Sequence, residues 1–326
     1  MKIRGHDRIE QVLATSISSG KIFPTWIFCG PFGVGKSSVA YKFAKCLLSG
    51  KLASDKSLDL EDQDPIHNMV SMRTHPDFFV LEQTDASVSI DEIRDLMLKI
   101  RRRPTMSKWR VVIIENASGF NKNIYNSLLK ILEEPPENTA IILICENTGH
   151  MPKTLLSRAS QISFSPLSDD IVKHVLDDIG IENSSELAKM SGGSVGYAIS
   201  LRDHDGLVIY DDLLKLCDIS TVNSSRQKTM QRLIDNDLTS NFKIIKEMLL
   251  QLLSLYVRML TDTLKVDASC KREISAFQTL VEKNCSDIDA EVKKVLEIIF
   301  MLNKCEMLML DKSAMLVYVF EKLTKI

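Results

Sequence analysis

Residues 30–37 read Gly30-Pro31-Phe32-Gly33-Val34-Gly35-Lys36-Ser37, the residue types and spacing of a complete phosphate-binding loop. Glycines in such a loop let consecutive backbone N–H groups turn inward around phosphate oxygens. Lys36 is spaced to reach the β and γ phosphates, and the Ser37 hydroxyl to ligate Mg²⁺. Gly30, Pro31, Gly33, Val34, Gly35, Lys36, Ser37 and Ser38 are therefore the candidate contacts for ATP or ADP. The apolar run Trp26-Ile27-Phe28-Cys29 precedes the loop and a run of helical period follows it. That helix would aim its positive end at the same anion. The competing reading is a loop that folds correctly and holds no nucleotide.

The chemistry expected of a partner strand is only half present. Val111-Val112-Ile113-Ile114 runs into Glu115-Asn116, where hydrolysing enzymes of this type carry two carboxylates. Glu115 suits Mg²⁺, although its extra methylene shifts the oxygens. Asn116 cannot accept a proton at neutral pH. The pattern keeps nucleotide binding and weakens hydrolysis. For Glu115 the plain alternative is a solvated strand end.

Around these residues the chain divides by pattern. Five short apolar runs, Thr25–Cys29, Phe78–Leu81, Val111–Ile114, Ile141–Cys145 and Gln161–Phe164, are predicted strands. Ser37–Leu48, Asp91–Arg102 and Lys122–Glu133 have helical spacing. This alternation implies an α/β fold, a parallel sheet covered on both faces. Residues 50–76 read as a surface insertion with some helix. Short helices broken by glycines follow from Ser168, and the pattern beyond Gly206 is all helical. The predicted organisation is a nucleotide-binding module over 1–166, a small helical lid over 167–205 and an all-α domain over 206–326.

Composition sets the outer bounds. A length of 326 residues suggests about two or three domains. The formal net charge of −2 gives no global positive field for nucleic acid, so such contact needs a local patch. The seven cysteines have no CxxC pairing and read as reduced thiols, mostly core. The first residues carry no apolar signal-like run, and the richest late apolar stretch, Met248–Leu260, is interrupted by Gln251 and Arg258. No membrane association and a cytoplasmic location are expected.

Two further strings carry a resemblance. Leu128-Leu129-Lys130-Ile131-Leu132-Glu133-Glu134-Pro135-Pro136 is physically a helix stopped by a double proline. Leu155-Leu156-Ser157-Arg158-Ala159 follows it. Together with the phosphate loop they resemble the bacterial clamp-loader ATPases of the AAA+ class, over residues 1 to about 200. Ala159 stands where that family's Ser-Arg-Cys motif has cysteine. The resemblance implies an AAA+ P-loop module, a lid, and a C-terminal collar that joins a five-subunit ring. It implies partnership with the tau/gamma motor subunits and the delta subunit of DNA polymerase III, and through the ring with the sliding clamp and primed DNA. It also implies that Arg158 reaches a neighbouring subunit's ATP site as an arginine finger. A surface or intrachain ion pair is the simpler role for Arg158.

Departures from the family's motors point toward a subunit that hydrolyses poorly. Residues 47–110 contain no cysteine, so no four-thiolate zinc module is expected there, and His67 and His75 read as surface or turn residues. The sensor position after the fourth strand falls on Cys145 or Glu146, and Tyr197 stands where motors often carry an arginine. The basic run Arg101-Arg102-Arg103 is either a DNA-phosphate contact or a solvated helix end, and the latter is favoured. Lys108 and Arg110 are equally read as plain surface. No paired catalytic aspartates of a polymerase can be placed, so polymerase chemistry would belong to the holoenzyme. The alternative function is an active AAA+ P-loop motor of a related replication or repair complex.

Overall fold

The computed structural model describes residues 4–52, 57–58, 64–82, 90–220, 222–236, 238–261, 271–284, 287–308 and 310–324. It divides into two compact units, Met1–Ala198 and Ile199–Ile326. No helix among the described residues is long and apolar enough to cross a membrane.

The first unit is built on a parallel sheet of β1 (Thr25–Cys29), β2 (Phe78–Leu81), β3 (Arg110–Ile114), β4 (Thr139–Cys145) and β5 (Ser160–Ser163). Its strand order is β2-β3-β4-β1-β5. β3 and β4 are buried at every position, as expected for central strands covered on both faces. Side-chain alternation sorts the strands into two layers. Trp26, Phe28, Val111, Ile113 and Ile142 face one core with Val39, Phe43 and Leu47. Ile27, Val112, Ile114, Ile141 and Leu143 face the other with Ile93, Leu128 and Ile131.

The helices are α1 (Asp7–Ser18), α2 (Lys36–Ser49), α3 (Pro65–Ser71), α4 (Ile90–Ile100), α5 (Lys122–Glu133), α6 (Lys153–Leu156), α7 (Asp169–Asp178), α8 (Ser184–Met190) and α9 (Val195–Asp203). Asn121 caps α5 by accepting the Asn123 and Ile124 N–H groups. The helix then stops before Pro135-Pro136, as the sequence predicts. α3 is opened by Asp64, which accepts the Ile66 N–H, with Pro65 as the first helical residue.

Three expectations are corrected here. The segment 50–76 is not simply a surface insertion, because Leu58 and Val70 are fully buried in the α2 core layer. His67 and His75 are buried, 6% and 2% exposed, rather than on the surface. The Asp77 N–H donates to His75 Nδ1 at 3.1 Å, and His75 Nε2 lies 3.1 Å from the Ser107 hydroxyl. Arg110 is not surface either. It is 2% exposed and pairs with the fully buried Asp77 at 3.3 Å.

The Arg110 guanidinium also donates to the Lys99, Ile100, Arg102 and Arg103 carbonyls. Asp77 in turn accepts the N–H groups of Thr105, Met106 and Ser107. A buried ion pair with its remaining capacity filled by backbone is the arrangement that makes such burial tolerable. It fixes the turn between α4 and β3, from which Arg101, Arg102, Arg103 and Lys108 all project into solvent.

The second unit consists of the end of α9 with α10 (Gly206–Cys217), α11 (Asn223–Asp235), α12 (Leu238–Leu260), α13 (Lys271–Asn284), α14 (Ile288–Met307) and α15 (Lys312–Thr324). Leu249, Leu252, Leu253 and Tyr256 of α12 are core, with Phe277, Val295, Leu302 and Phe320. Tyr256 stacks on Phe277 at 5.1 Å, and its hydroxyl donates to Glu291 at 3.0 Å. Leu296 and Phe300 of α14 remain exposed, at 58% and 55%.

Candidate functional site

The strand order explains why residues far apart in sequence share one edge of the sheet. β4 lies between β1 and β3 and runs parallel to both. The loop after β1, Glu115 after β3 and Glu146 after β4 therefore leave the same edge, the C-terminal one. In open parallel sheets that edge is where ligands bind.

The phosphate loop needs glycine at particular places. Gly33 and Gly35 have φ of +69° and +104°, conformations that favour glycine. A Cβ on Gly30 would stand 2.3 Å from the Phe164 carbonyl oxygen, and one on Gly33 2.8 Å from the Gly196 Cα. The Gly33 carbonyl accepts the Gly196 N–H at 2.9 Å, so the segment that opens α9 is tied onto the loop. His6 fixes the other side, its Nε2 2.7 Å from the Val34 carbonyl oxygen. Neither His6 nor Gly196 was singled out for this role by sequence. Both contacts are made through backbone carbonyls, which leave no residue-type signature.

Lys36 is 7% exposed and turns back onto its own loop, donating to the Gly30 and Pro31 carbonyls at 2.8 and 2.6 Å. Burial pushes its pKa below the ordinary lysine value, opposed by Glu146, Cys145, Cys29 and Glu115. A buried ammonium whose hydrogen bonds go to two carbonyls of its own loop suits an anion that would bring it full negative charge. Ser37, in the first turn of α2, and Glu115, just past β3, both lie at this edge, so the two sequence-predicted Mg²⁺ ligands share it. Burial raises the Glu115 pKa, Glu82 raises it further, and the Ser37 hydrogen bond, Arg73 and Lys36 act against the rise. A divalent cation bound here would take oxygen ligands of the kind that Ser37 and Glu115 offer. Ser38 and Pro31 are exposed beside them.

The residue after Glu115 does not join this set. Asn116 is exposed in a left-handed conformation, φ +54°, and opens the 3₁₀ turn Ala117–Gly119. A group missed by sequence stands at the next strand end. Glu82 follows β2 and pairs with Arg73, which lies 5.9 Å from the Tyr41 ring centroid. Glu82 and Arg73 both act on Glu115 through space. Only the strand register, Leu81 opposite Ile114, reveals that Glu82 and Glu115 leave adjacent strands. Cys145 ends β4, buried, and Glu146 is exposed beyond it. Tyr197 is half-buried, its N–H donating to the Ser194 hydroxyl at 2.9 Å.

Arg158 belongs to the opposite edge. It follows α6 and precedes β5, whose first residue Ser160 pairs with Trp26 near the start of β1. From Trp26 to Gly30 the strand advances about 13 Å, so Arg158 sits across the sheet from its own phosphate loop. Its guanidinium donates to the Thr154 carbonyl at 2.9 Å and lies 3.8 Å from Glu133, both side chains well exposed. Among the described residues no group of three or more His, Cys, Asp or Glu is arranged to hold a metal.

A five-stranded parallel sheet with a phosphate loop after β1, a carboxylate after β3 and a following helical unit defines the AAA+ P-loop class. A family described as "DNA polymerase III, delta subunit" matches residues 5–168, and the chain belongs to that family. Among curated relatives, the DNA polymerase III subunit delta' of Pseudomonas aeruginosa is 31% identical over 175 residues, covering 52% of each chain. DNA polymerase III subunit tau of Escherichia coli is 29% identical over 211 residues, 61% of this chain and 32% of that one. The chain thus spans less than two thirds of the curated relatives that it matches. A DNA polymerase III gamma subunit-related protein of Thermotoga maritima, 14% identical, aligns over 97% of this chain and 99% of its own, with a TM-score of 0.48.

Proposed function

We propose that this chain is a delta-prime-type subunit of the DNA polymerase III clamp loader. In this reading it binds ATP or ADP with Mg²⁺ through Gly30–Ser38 and Glu115, hydrolyses poorly, and supplies Arg158 to a neighbouring motor subunit. The observation that carries the reading is the division of the sheet. Lys36, Ser37 and Glu115 converge on one edge, whereas Arg158 stands on the other, exposed and weakly held. An arginine so placed cannot serve its own loop and is free to serve another.

The fate of Asn116 supports poor turnover. A water attacking the γ-phosphate needs a group to orient it and accept its proton, and Asn116 is both the wrong type and turned into solvent. The bound group would supply phosphate charge for Lys36 and a cation for Ser37 and Glu115. The chain's own share is to neutralise and orient, with the glycine N–H groups lining the phosphates.

The remaining parts follow the same reading. Residues 167–205 act as lid, 206–326 as collar, and the exposed Leu296 and Phe300 form part of the collar contact with another subunit. Partners are the tau/gamma motors and delta, with the sliding clamp and primed DNA engaged through the ring, in the cytoplasm. ATPase turnover of the isolated protein tests the reading. A rate well below that of a motor subunit supports it, and a motor-like rate abolished by Lys36→Ala refutes it.

One observation favours a second reading, an active AAA+ motor. The phosphate loop is intact, and Ser37 and Glu115 lie at the same edge of the sheet. Glu82, near Glu115, would then have to provide the carboxylate that Asn116 lacks.

A further inference from the structure

The chemistry assigned above leaves a thiol pair unused. Cys29 is the last residue of β1 and Cys145 the last of β4, and the two are direct partners in the parallel register. Register partners on adjacent parallel strands project to the same face, and both side chains belong to the same core layer. Neighbouring strands run about 4.8 Å apart. That spacing falls within the roughly 4.4–6.8 Å between Cα atoms that a disulfide accepts. Cys29 is partly exposed, and its Sγ approaches the Glu146 carbonyl at 3.5 Å, whereas Cys145 is buried. Of the other described cysteines, Cys46 lies in the opposite core layer, and Cys217 and Cys305 lie in the second unit.

We propose that Cys29 and Cys145 form a reversible oxidation site, with a peroxide as oxidant, that fixes the base of the phosphate loop. The accessible Cys29 thiolate attacks one peroxide oxygen, the O–O bond breaks, and a sulfenic acid and hydroxide result. The Cys145 sulfur then attacks the Cys29 sulfur. Its proton leaves with the displaced hydroxide as water, and one S–S bond has formed at the expense of two S–H bonds and one molecule of peroxide.

The position gives the bond a consequence. Gly30, the first residue of the loop, donates its N–H to the Cys145 carbonyl at 3.2 Å, and the Phe164 N–H donates to the Cys29 carbonyl at 2.7 Å. Drawing the two sulfurs to bonding distance must be absorbed by these two residues and their neighbours, Gly30 and Glu146. Gly30 packs closely on Phe164 and is tied to the Cys145 carbonyl, so a shift of either cysteine reaches the first residue of the loop. Only the expected effect on nucleotide binding rests on the loop being a nucleotide site.

The test uses the full chain treated with hydrogen peroxide. Peptide mapping is expected to find Cys29 joined to Cys145, with dithiothreitol restoring both thiols. Hydrogen exchange over residues 30–37 should slow in the oxidised form, and binding of a fluorescent ADP should weaken reversibly. In Cys145→Ser, dimedone should trap a sulfenic acid on Cys29. No Cys29–Cys145 peptide, or one joining either residue to a different cysteine, would overturn the proposal. The linked peptide with unchanged exchange over 30–37 would overturn its coupling to the loop. If the link and the exchange change form but the reduced protein binds no ADP, the thiol site stands and the nucleotide reading fails.

Discussion

Arg158 and Glu133 lie 3.8 Å apart at the edge of the sheet from which the strands begin, each supplied by one of the two strings that carry the family resemblance. Glu133 ends α5, just before the double proline that turns the chain toward β4. The proline stop thus places an acid where it parks the arginine without burying it.

An exposed pair of this length contributes little to stability, on the order of 0–1 kcal/mol. Arg158→Ala is therefore expected to leave the melting temperature and assembly essentially unchanged. If Arg158 is a finger, the ATPase rate of the site that it serves falls by about 10³-fold or more. Thermal unfolding and DNA- and clamp-stimulated ATPase of the reconstituted complex check both halves. Glu133→Ala, which removes the ion pair and leaves the hydrogen bond to the Thr154 carbonyl, should leave that ATPase near wild type.

Lys36 gives the complementary prediction. Its two hydrogen bonds go to the carbonyls of its own loop, so Lys36→Ala removes the charge that would meet phosphate while relieving a buried ammonium. Nucleotide affinity, measured by titration with a fluorescent ATP analogue, should fall strongly. The clamp-loading rate of the reconstituted complex should change little. A large loss of loading would mean that this site turns over in the cycle.

Much of the architecture could be read from the sequence. All five strands lie within two residues of their predicted starts, most clearly β3 and β4, whose Val/Ile runs have few alternatives. The loop's conformation and the helix after it were legible because the motif is local, eight consecutive residues. Arg110 was not, because its partner Asp77 lies 33 residues away and a charged residue beside Lys108 looks solvent-facing. His75 was hidden for the same reason, since the Ser107 that meets it comes from the turn after α4. Glu82 could be linked to Glu115 only once β2 and β3 were known to be neighbours.

The Arg110–Asp77 pair predicts a pH-dependent stability. Burial would raise the Asp77 pKa, but the Ser107, Met106 and Thr105 N–H groups and Arg110 together bring it below the ordinary carboxylate value. The folded state thus binds this proton less readily than the unfolded state. Its contribution is complete above the unfolded carboxylate pKa and is lost as pH falls through the lower folded value. Asp77→Ala should cost about 3–5 kcal/mol, since it strands a buried guanidinium. Urea unfolding at neutral and acidic pH should show the wild-type advantage shrinking on acidification. A constant difference between the two proteins would argue against the pair.

Glu115 has the opposite sign. Its pKa is raised, mainly by burial, so the folded state holds this proton more tightly than the unfolded state does. Its ionisation therefore costs stability as pH rises through the unfolded and then the folded value. Mg²⁺ requires the ionised form, so the Mg²⁺ dependence of nucleotide binding should weaken as pH drops toward the raised pKa. In Glu115→Gln that pH dependence should vanish along with most of the Mg²⁺ effect. Calorimetric titration with and without Mg²⁺ across that range decides it.

The central claim is that this chain gives more to a neighbour's ATP site than it does in its own. The most direct measurement compares stimulated ATPase in complexes reconstituted with either Arg158→Ala or Lys36→Ala in this subunit alone. The claim predicts a large loss with Arg158→Ala and a near-normal rate with Lys36→Ala. A near-normal rate with Arg158→Ala and collapse with Lys36→Ala would contradict it and make the chain a motor in its own right.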